Sequence, residues 1–484
     1  MKTMLWKTIV IINTSSTLIR ITALLLIFSL GACRKIDHGG SPGKKPNIVI
    51  VVMDTVRRDH LSCYDYKRAT TPNLESLSRQ ARTYLNAYST SGWTNPAHAS
   101  LFTGLYPVVH QTTQENEAMG PDLFTLAEVL KVNGYSTVGI VENPQLSQER
   151  NFNQGFDEYI ETWKLPDAEK WGEEHFLNIL RNSLEGSEGE KPFFLFVNFI
   201  SPHSPYYDQH QFSKKFVSDT SIPINSNMWR SFFLGEKTFT PEEINHIVEL
   251  YDSQIYYVDY LIGRMMDLLK SRNVWDNTIF IVASDHGEHF LEHGLMDHVF
   301  SLYEPLTKIP LIIYYPTLFN PGSIEMQPVQ LVDIFPTILN ILEIDPESYF
   351  TQGENLLALS TEKERDIFGE YYFPRQVFRC FQDNHKLEIF DRYRRRLKFV
   401  ISGDYKLIWS SQGDHELYNL KLDPDEKRNL AEAMDYQEVR ESLLVKISQF
   451  NDGYDMSSFS ENSTFSSPLE ESTRNKLRTL GYLP

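Results

Sequence analysis

The sequence predicts an α/β protein built on a large, mostly parallel sheet sandwiched by helices, with a small α+β part at its C-terminal end. Three observations carry that prediction. Short, nearly continuous apolar runs such as NIVIVVM (Asn47–Met53) and TIFIVA (Thr278–Ala283) suit strands buried on both faces. Segments with helical spacing separate these runs, the alternation that builds a parallel sheet. Beyond about residue 376 the pattern changes to hairpins followed by an amphipathic helix. Composition sets the outer limits. With 41 % hydrophobic residues the 484-residue chain can bury a large core, so it is not a disordered protein. Three cysteines are too few for a disulfide scaffold. A net charge of −18 argues against nucleic acid as a partner.

Residues 1–32 are set aside as an export signal. Lys2, Lys7 and Arg20 precede the apolar run ITALLLIFSL, which is too short for a bilayer crossing of roughly 20 residues. The run ends in Leu30-Gly31-Ala32-Cys33, which resembles a bacterial lipobox with Cys33 as the lipidated residue. An uncleaved membrane anchor is the alternative; either way the folded part stands outside the cytoplasm, lipid-anchored in the cell envelope on the periplasmic or surface side. Residues 33–46, polar with Gly and Pro, read as a tether. Cys63 and Cys380 remain, and two unpaired thiols are expected.

The catalytic domain is expected over residues 47–375. Its strands are Asn47–Met53, Ser136–Val141, 193–200, Thr278–Ala283 and 309–314. Helices are expected at 73–85, where Leu74, Leu77, Ala81 and Leu85 recur at helical spacing, at 123–133, and at Pro241–Ser271. Thr240 and Glu243 form a capping-box pattern at the start of the last. In the C-terminal part, 376–484, a hairpin is expected at 398–401 and 405–409 around Gly403-Asp404, then a strand at 417–420 and a helix at 435–450. The Ser-rich residues 451–468 read as a loop.

Ligands of such sheets bind beyond the carboxyl ends of the strands. Asp54, Asp285-His286-Gly287 and Ser201-Pro202-His203 all stand just past a strand end. A carboxylate at the end of a buried strand needs a positive partner. That partner is a metal ion or, alternatively, Arg57 or Arg58 for Asp54 and plain solvent for a turn at Asp285. Thr94, in SGWTNPAHASLFTGLYP, precedes a helix expected to open near Ala99, where the helix dipole favours an anionic group. The alternative for Thr94 is an ordinary helix cap. His289-Phe290-Leu291-Glu292-His293 fits the His-x-x-Glu-His pattern of some zinc proteases, which needs both histidines on one helix. Tyr206, Tyr207, Trp163, Trp171 and Trp229 suit either a pocket or ordinary packing. The run Arg392–Arg396 (RYRRR) suits either an anionic surface or a solvated turn.

Taken together these segments resemble the sulfatase branch of the alkaline phosphatase superfamily. IVIVVMDTVRRDHLSCYDY is similar to the opening metal motif, TNPAHASLFTGLYP to the nucleophile signature and NTIFIVASDHGE to the second metal motif. LYEPLTKIPLIIY, LVDIFPTILNIL, GDYKLIW and ELYNLKLDPDEKRNLA follow in the family's order. The resemblance implies one divalent metal ion (Ca, Mn or Zn) on Asp54, Thr94, Asp285 and His286. It implies His203 and His298 acting with Thr94 in catalysis, and Asn143 and His98 binding substrate. His203 would hold the substrate anion and His298 would act as leaving-group acid or in support.

The departures decide the chemistry. The family's Cys or Ser that becomes formylglycine is Thr94, whose Cβ methyl forbids that aldehyde, so no formylglycine is expected. The signature Arg is His98, the second Asp of the opening motif is Thr55, and Glu142, Asn143 and Pro144 stand where a Lys-x-His motif is usual. The expectation is a metal-dependent hydrolase of anionic phosphate or sulfate esters (glycan, lipid headgroup or small molecule) with a Thr nucleophile and a preference for phosphoesters. The alternatives are a sulfatase on a glycan, a headgroup phosphotransferase, and a non-catalytic binding lipoprotein on the same scaffold.

Overall fold

The computed structural model describes residues 44–166, 172–185, 191–206, 210–218, 227–359, 364–380, 387–452 and 467–483. The predicted signal and lipid site, Tyr207, Trp171 and most of the Ser-rich stretch lie outside the described residues, as does the side chain of Cys380. Residues 45–484 form one compact unit. Cys63 is a free, half-buried thiol. Among the described residues no helix is long and apolar enough to cross a membrane.

In chain order the strands of the main sheet are β1 (Asn47–Met53), β2 (Arg82–Tyr88), β3 (Ser136–Val141), β4 (Glu158–Glu161), β5 (Phe193–Phe199) and β6 (Thr278–Ala283). A short hairpin, β7 (His289–Phe290) with β8 (Met296–Asp297), comes before β9 (Lys308–Tyr314), β10 (Ser323–Glu325) and β11 (Val329–Gln330). The sheet order is β10-β2-β9-β6-β1-β5-β3-β4, with β11 also beside β2. β9 pairs antiparallel with both β2 and β6, while the other pairings are parallel. A central β1 explains its unbroken apolar run. Val49, Val51 and Met53 face one core with Ile255 and Ile262 of the helix Pro241–Ser271. Ile48, Ile50 and Val52 face the other with Ala97 and Leu101 of the helix Thr94–Thr103.

The predicted helix at 73–85 is corrected to a shorter one, Pro72–Ser78, followed by β2. Leu85 carries the apolar spacing onward, but its neighbours Thr83, Tyr84 and Tyr88 are residues that favour a strand. The helix Pro241–Ser271 has its predicted boundaries, and Thr240 and Glu243 cap it reciprocally.

The C-terminal sheet runs β12 (Ile367–Tyr371), β13 (Leu397–Ser402), β14 (Tyr405–Ser410) and β15 (Glu416–Asn419), all antiparallel. The helix Gln437–Asp452 packs on it through Leu443 and Ile447. Its first strand lies ahead of residue 376, where the sequence changes character. A further helix, Glu471–Thr479, had no counterpart in the sequence reading. In the basic run, Arg394 pairs with Asp391, Arg395 with Asp414 and Arg396 with Glu115.

Candidate active site

β1 and β6 are neighbours, so Asp54 and Asp285 leave the sheet side by side. Thr55 follows Asp54 at φ +58, a left-handed conformation that is unusual for a β-branched residue. This turn aims the Thr55 N–H at Asp285 Oδ1 (3.1 Å), while Val56 N–H donates to Ser284 Oγ (2.9 Å). The two strand ends are thereby tied together. Gly287 lets this turn approach the 304–307 segment, since a Cβ there would come within 2.0 Å of the Pro305 carbonyl oxygen.

Thr94, Asp54, Asp285 and His286 are all buried. Asp54 Oδ2 accepts from Asn143 Nδ2 (2.8 Å) and Asn198 Nδ2 (3.1 Å), but its Oδ1 has no partner. Asp285 Oδ1 accepts from two backbone N–H groups, but its Oδ2 has no hydrogen-bond partner. It lies 3.4 Å from His286 Nε2 and 3.6 Å from His98 Nδ1. Burial and the nearby Asp54 push the Asp285 carboxyl well above its ordinary range. His286 Nδ1 is 3.0 Å from the Gly287 carbonyl oxygen, which places the proton on Nδ1 and leaves Nε2 as a lone pair 3.3 Å from Thr94 Oγ1. Burial, together with the neighbouring His298, holds His286 neutral. Two carboxylates that each keep a bare oxygen and an imidazole whose Nε2 lone pair faces Thr94 meet here, and ligand atoms of Asp54, Asp285 and His286 lie within 4.8 Å of one another. Unpaired buried carboxylates are costly, so this donor set fits a divalent cation.

Thr94 is the first residue of its helix, which begins five residues earlier than expected. Pro96 sits in the first turn, where its missing N–H costs nothing. The alternative of Thr94 as a cap is not met, because Trp93 holds the cap position and no side chain caps that end.

A second buried cluster follows on the same loop. His298 Nδ1 lies 2.6 Å from Asp297 Oδ1 and 3.3 Å from Glu288 Oε1. Burial opposes a charge on His298, but the two carboxylates outweigh it and its pKa rises well above the ordinary value. Its ring lies 4.7 Å from that of His286 and 4.8 Å from that of His203. A cavity of about 300 Å³ opens here, lined by Trp93, His203, Trp229, Phe233, His298 and Tyr482 among others.

The family model described as "Sulfatase" matches residues 46–344, more than half of the chain. The chain belongs to the sulfatase family. These are ester hydrolases of the alkaline phosphatase superfamily. A model described as "N-sulphoglucosamine sulphohydrolase, C-terminal" matches residues 291–453. An arylsulfatase of Clostridium perfringens (strain 13 / Type A) is 24 % identical over 485 residues, covering 85 % of this chain and 96 % of that protein. An N-acetylglucosamine-6-O-sulfatase of Bacteroides thetaiotaomicron is 22 % identical, covering 91 % of each. Among solved structures, the phosphonate monoester hydrolase of Agrobacterium radiobacter has a TM-score of 0.69 at 20 % identity, covering 85 % of this chain and 97 % of that one. These structures share the fold, a mixed, mostly parallel sheet with a small antiparallel sheet after it.

Within this sulfatase fold the other expected site residues take the following places. Asn143, expected to bind substrate, donates to Asp54 and so orients that carboxylate. His98 is fully buried, with Nδ1 2.9 Å from the Thr94 carbonyl oxygen and its ring against Phe102 and Phe196. Burial lowers its pKa to about 4, which favours the neutral ring where the family has an Arg. His203 Nδ1 hydrogen-bonds the Ser204 carbonyl, and its Nε2 accepts from Tyr482 Oη at 2.6 Å. The protease-like pattern fails: His289 is in β7, Leu291 is left-handed, and His293 stacks on Tyr303. Trp163 binds Thr473, while Tyr206 packs against Trp229 at the cavity. Asn198 and Tyr482 were missed. The only sequence signal for Asn198 was a polar residue inside FFLFVNFI; Tyr482 had none.

Proposed function

We propose that this sulfatase-family hydrolase cleaves phosphate or sulfate esters with Thr94 as nucleophile, phosphoesters being preferred. The observation that carries the reading is the convergence of the Thr94 hydroxyl, 3.3 Å from His286 Nε2, with the bare oxygens of Asp54 and Asp285. Asp54, Asp285, His286 and Thr94 would hold the cation. A divalent ion bound there supplies positive charge that favours the ionised Thr94 hydroxyl and offsets charge on the transferring group. Thr94 Oγ1, its proton released to solvent, attacks phosphorus or sulfur in line, forming the Oγ1–P or Oγ1–S bond as the ester bond breaks. His298, held charged by Asp297 and Glu288, gives its Nε2 proton to the leaving oxygen. Asn143 and Asn198 keep Asp54 in position. Water then attacks the Thr94 ester, giving one proton to the His298 left neutral by the first step. Phosphate or sulfate leaves as the Oγ1–P or Oγ1–S bond breaks, and Thr94 Oγ1 regains a proton from solvent. A transferase would use another acceptor in place of water. Thr55 in place of a carboxylate lowers the negative charge of the site, so Mn²⁺ and Zn²⁺ suit it as well as Ca²⁺.

Phosphorus is favoured because Thr94 cannot become the formylglycine of sulfate-cleaving relatives, and a phosphonate monoester hydrolase shares the fold. A glycan sulfatase is the second reading, supported by the match along 91 % of the chain to an N-acetylglucosamine-6-O-sulfatase. Purified protein with Mn²⁺, Zn²⁺ or Ca²⁺ is offered 4-nitrophenyl phosphodiesters, phosphomonoesters, phosphonates and sulfates. Turnover of phosphorus esters that drops by on the order of 10⁴-fold in Thr94→Ala is expected. Sulfate turnover alone would transfer the assignment to the second reading, and a fully active Thr94→Ala would remove the nucleophile. We further propose envelope anchoring through Cys33, which metabolic labelling with a fatty acid, lost in Cys33→Ser, would test.

A further inference from the structure

The C-terminal residues of the described chain enter the site. The helix Glu471–Thr479 is capped by Leu480 and followed by Gly481, whose φ of +83 lets the chain reverse. Gly481 N–H bonds the Arg478 carbonyl (3.0 Å) and Tyr482 N–H bonds the Leu477 carbonyl (2.9 Å), a closed terminal turn. The helix itself is fixed to the main body. Trp163 Nε1 donates to Thr473 Oγ1 (3.2 Å), Thr473 Oγ1 donates to Glu149 (3.1 Å), and Lys164 pairs with Glu149 (2.8 Å) and Glu470 (3.2 Å).

This turn delivers the Tyr482 phenol, only 4 % exposed, between the site's histidines. Its Oη lies 2.6 Å from His203 Nε2 and 3.4 Å from His298 Nε2, and the phenol lies close to the Thr94 side chain. The ring packs edge-on against Trp93 at 5.7 Å. The phenol therefore touches the proposed acid and stands beside the proposed nucleophile. With Tyr482 in place the adjoining cavity still measures about 300 Å³, the lower end of small-molecule sites, so the phenol forms a wall and does not fill the space.

We propose that Tyr482 is a substrate-contacting, specificity-determining residue. Its hydroxyl, which rotates about one bond, turns its proton from His203 to an ester oxygen, and its ring limits the leaving group to the size of a single ring. This rests on Thr94 chemistry as proposed above and supplies the hydrogen-bond donor that His203, as an acceptor, does not.

Full-length wild type, Tyr482→Phe, Tyr482→Ala and Thr94→Ala are assayed on 4-nitrophenyl and on the bulkier 4-methylumbelliferyl esters, with circular dichroism and melting curves to verify folding. Tyr482→Phe should lower kcat about tenfold or more with little change in KM, the signature of a contact strengthened in the transition state. Tyr482→Ala should also shift preference severalfold towards 4-methylumbelliferyl. Calorimetric titration with inorganic phosphate, which needs no turnover, should show weaker binding in Tyr482→Phe. Folded Tyr482 variants that keep wild-type kcat, KM, leaving-group ratio and phosphate affinity while Thr94→Ala is inactive would overturn the proposal alone. A rise in kcat/KM on all esters in both Tyr482 variants would overturn it too, and mark the segment as a plug. An active Thr94→Ala would instead overturn the reading of the reaction.

Discussion

Asp54, Asp285 and His286 form one buried cluster of two carboxylates and an imidazole; Glu288, Asp297 and His298 form another on the same loop. The residue types nearly match, yet the wiring is opposite. In the first cluster the carboxylates take amide and backbone donors on one side and leave Asp54 Oδ1 and Asp285 Oδ2 bare. Its imidazole is neutral. In the second, both carboxylates turn onto one imidazole and keep it charged. The first cluster is built to suit a cation from outside; the second makes its own from a proton. Composition alone does not distinguish them, and hydrogen-bond direction does.

Metal-dependent stability is the largest difference expected. Added Mn²⁺ or Zn²⁺ should raise the melting temperature of wild type by a few degrees, as mass action requires. EDTA should reverse that. Asp285→Asn should lose the metal shift and Asp297→Asn should keep it; the opposite pattern would break the comparison and move the metal to the second cluster. Next in size, Asp297→Asn should lower kcat about 10²-fold on esters with poor leaving groups and far less on 4-nitrophenyl esters, as loss of a general acid requires. Equal losses on both would mean that His298 holds the transferring group instead.

The smallest effect concerns the helix that brings Tyr482 between the clusters. Burial works against the Glu149 charge, but Lys164 and backbone donors prevail and lower its pKa from 4.5 to about 2. A lowered carboxylate pKa contributes stability above the ordinary value, lost as pH falls through the folded one. Hydrogen exchange in the helix Glu471–Thr479 should therefore lose protection between pH 4.5 and 2, before β1 does. Glu149→Gln should abolish that pH dependence; an unchanged profile would exclude Glu149 as the anchor.

How far the sequence revealed this arrangement depended on distance along the chain. Asp54 and Asp285 were legible because each ends an apolar strand, and a parallel sheet brings such ends to one rim. The capping box of Thr240 and Glu243 was legible because it is local. β2 was misread because Leu74, Leu77, Ala81 and Leu85 keep a helical period across a turn. The partners of Asn143 and His203 were not legible because sequence does not reveal which neighbour an amide or imidazole turns to. Tyr482 was invisible because its meaning comes from a partner 279 positions away.

Thr55 shows what such a rim demands of the backbone. A left-handed β-branched residue costs on the order of 1–3 kcal/mol, and here it lies between two carboxylates that also resist burial. The protein is thus least at ease where it is most purposeful, and variants selected only for heat resistance would tend to relax this corner first, gaining robustness as they lost aim.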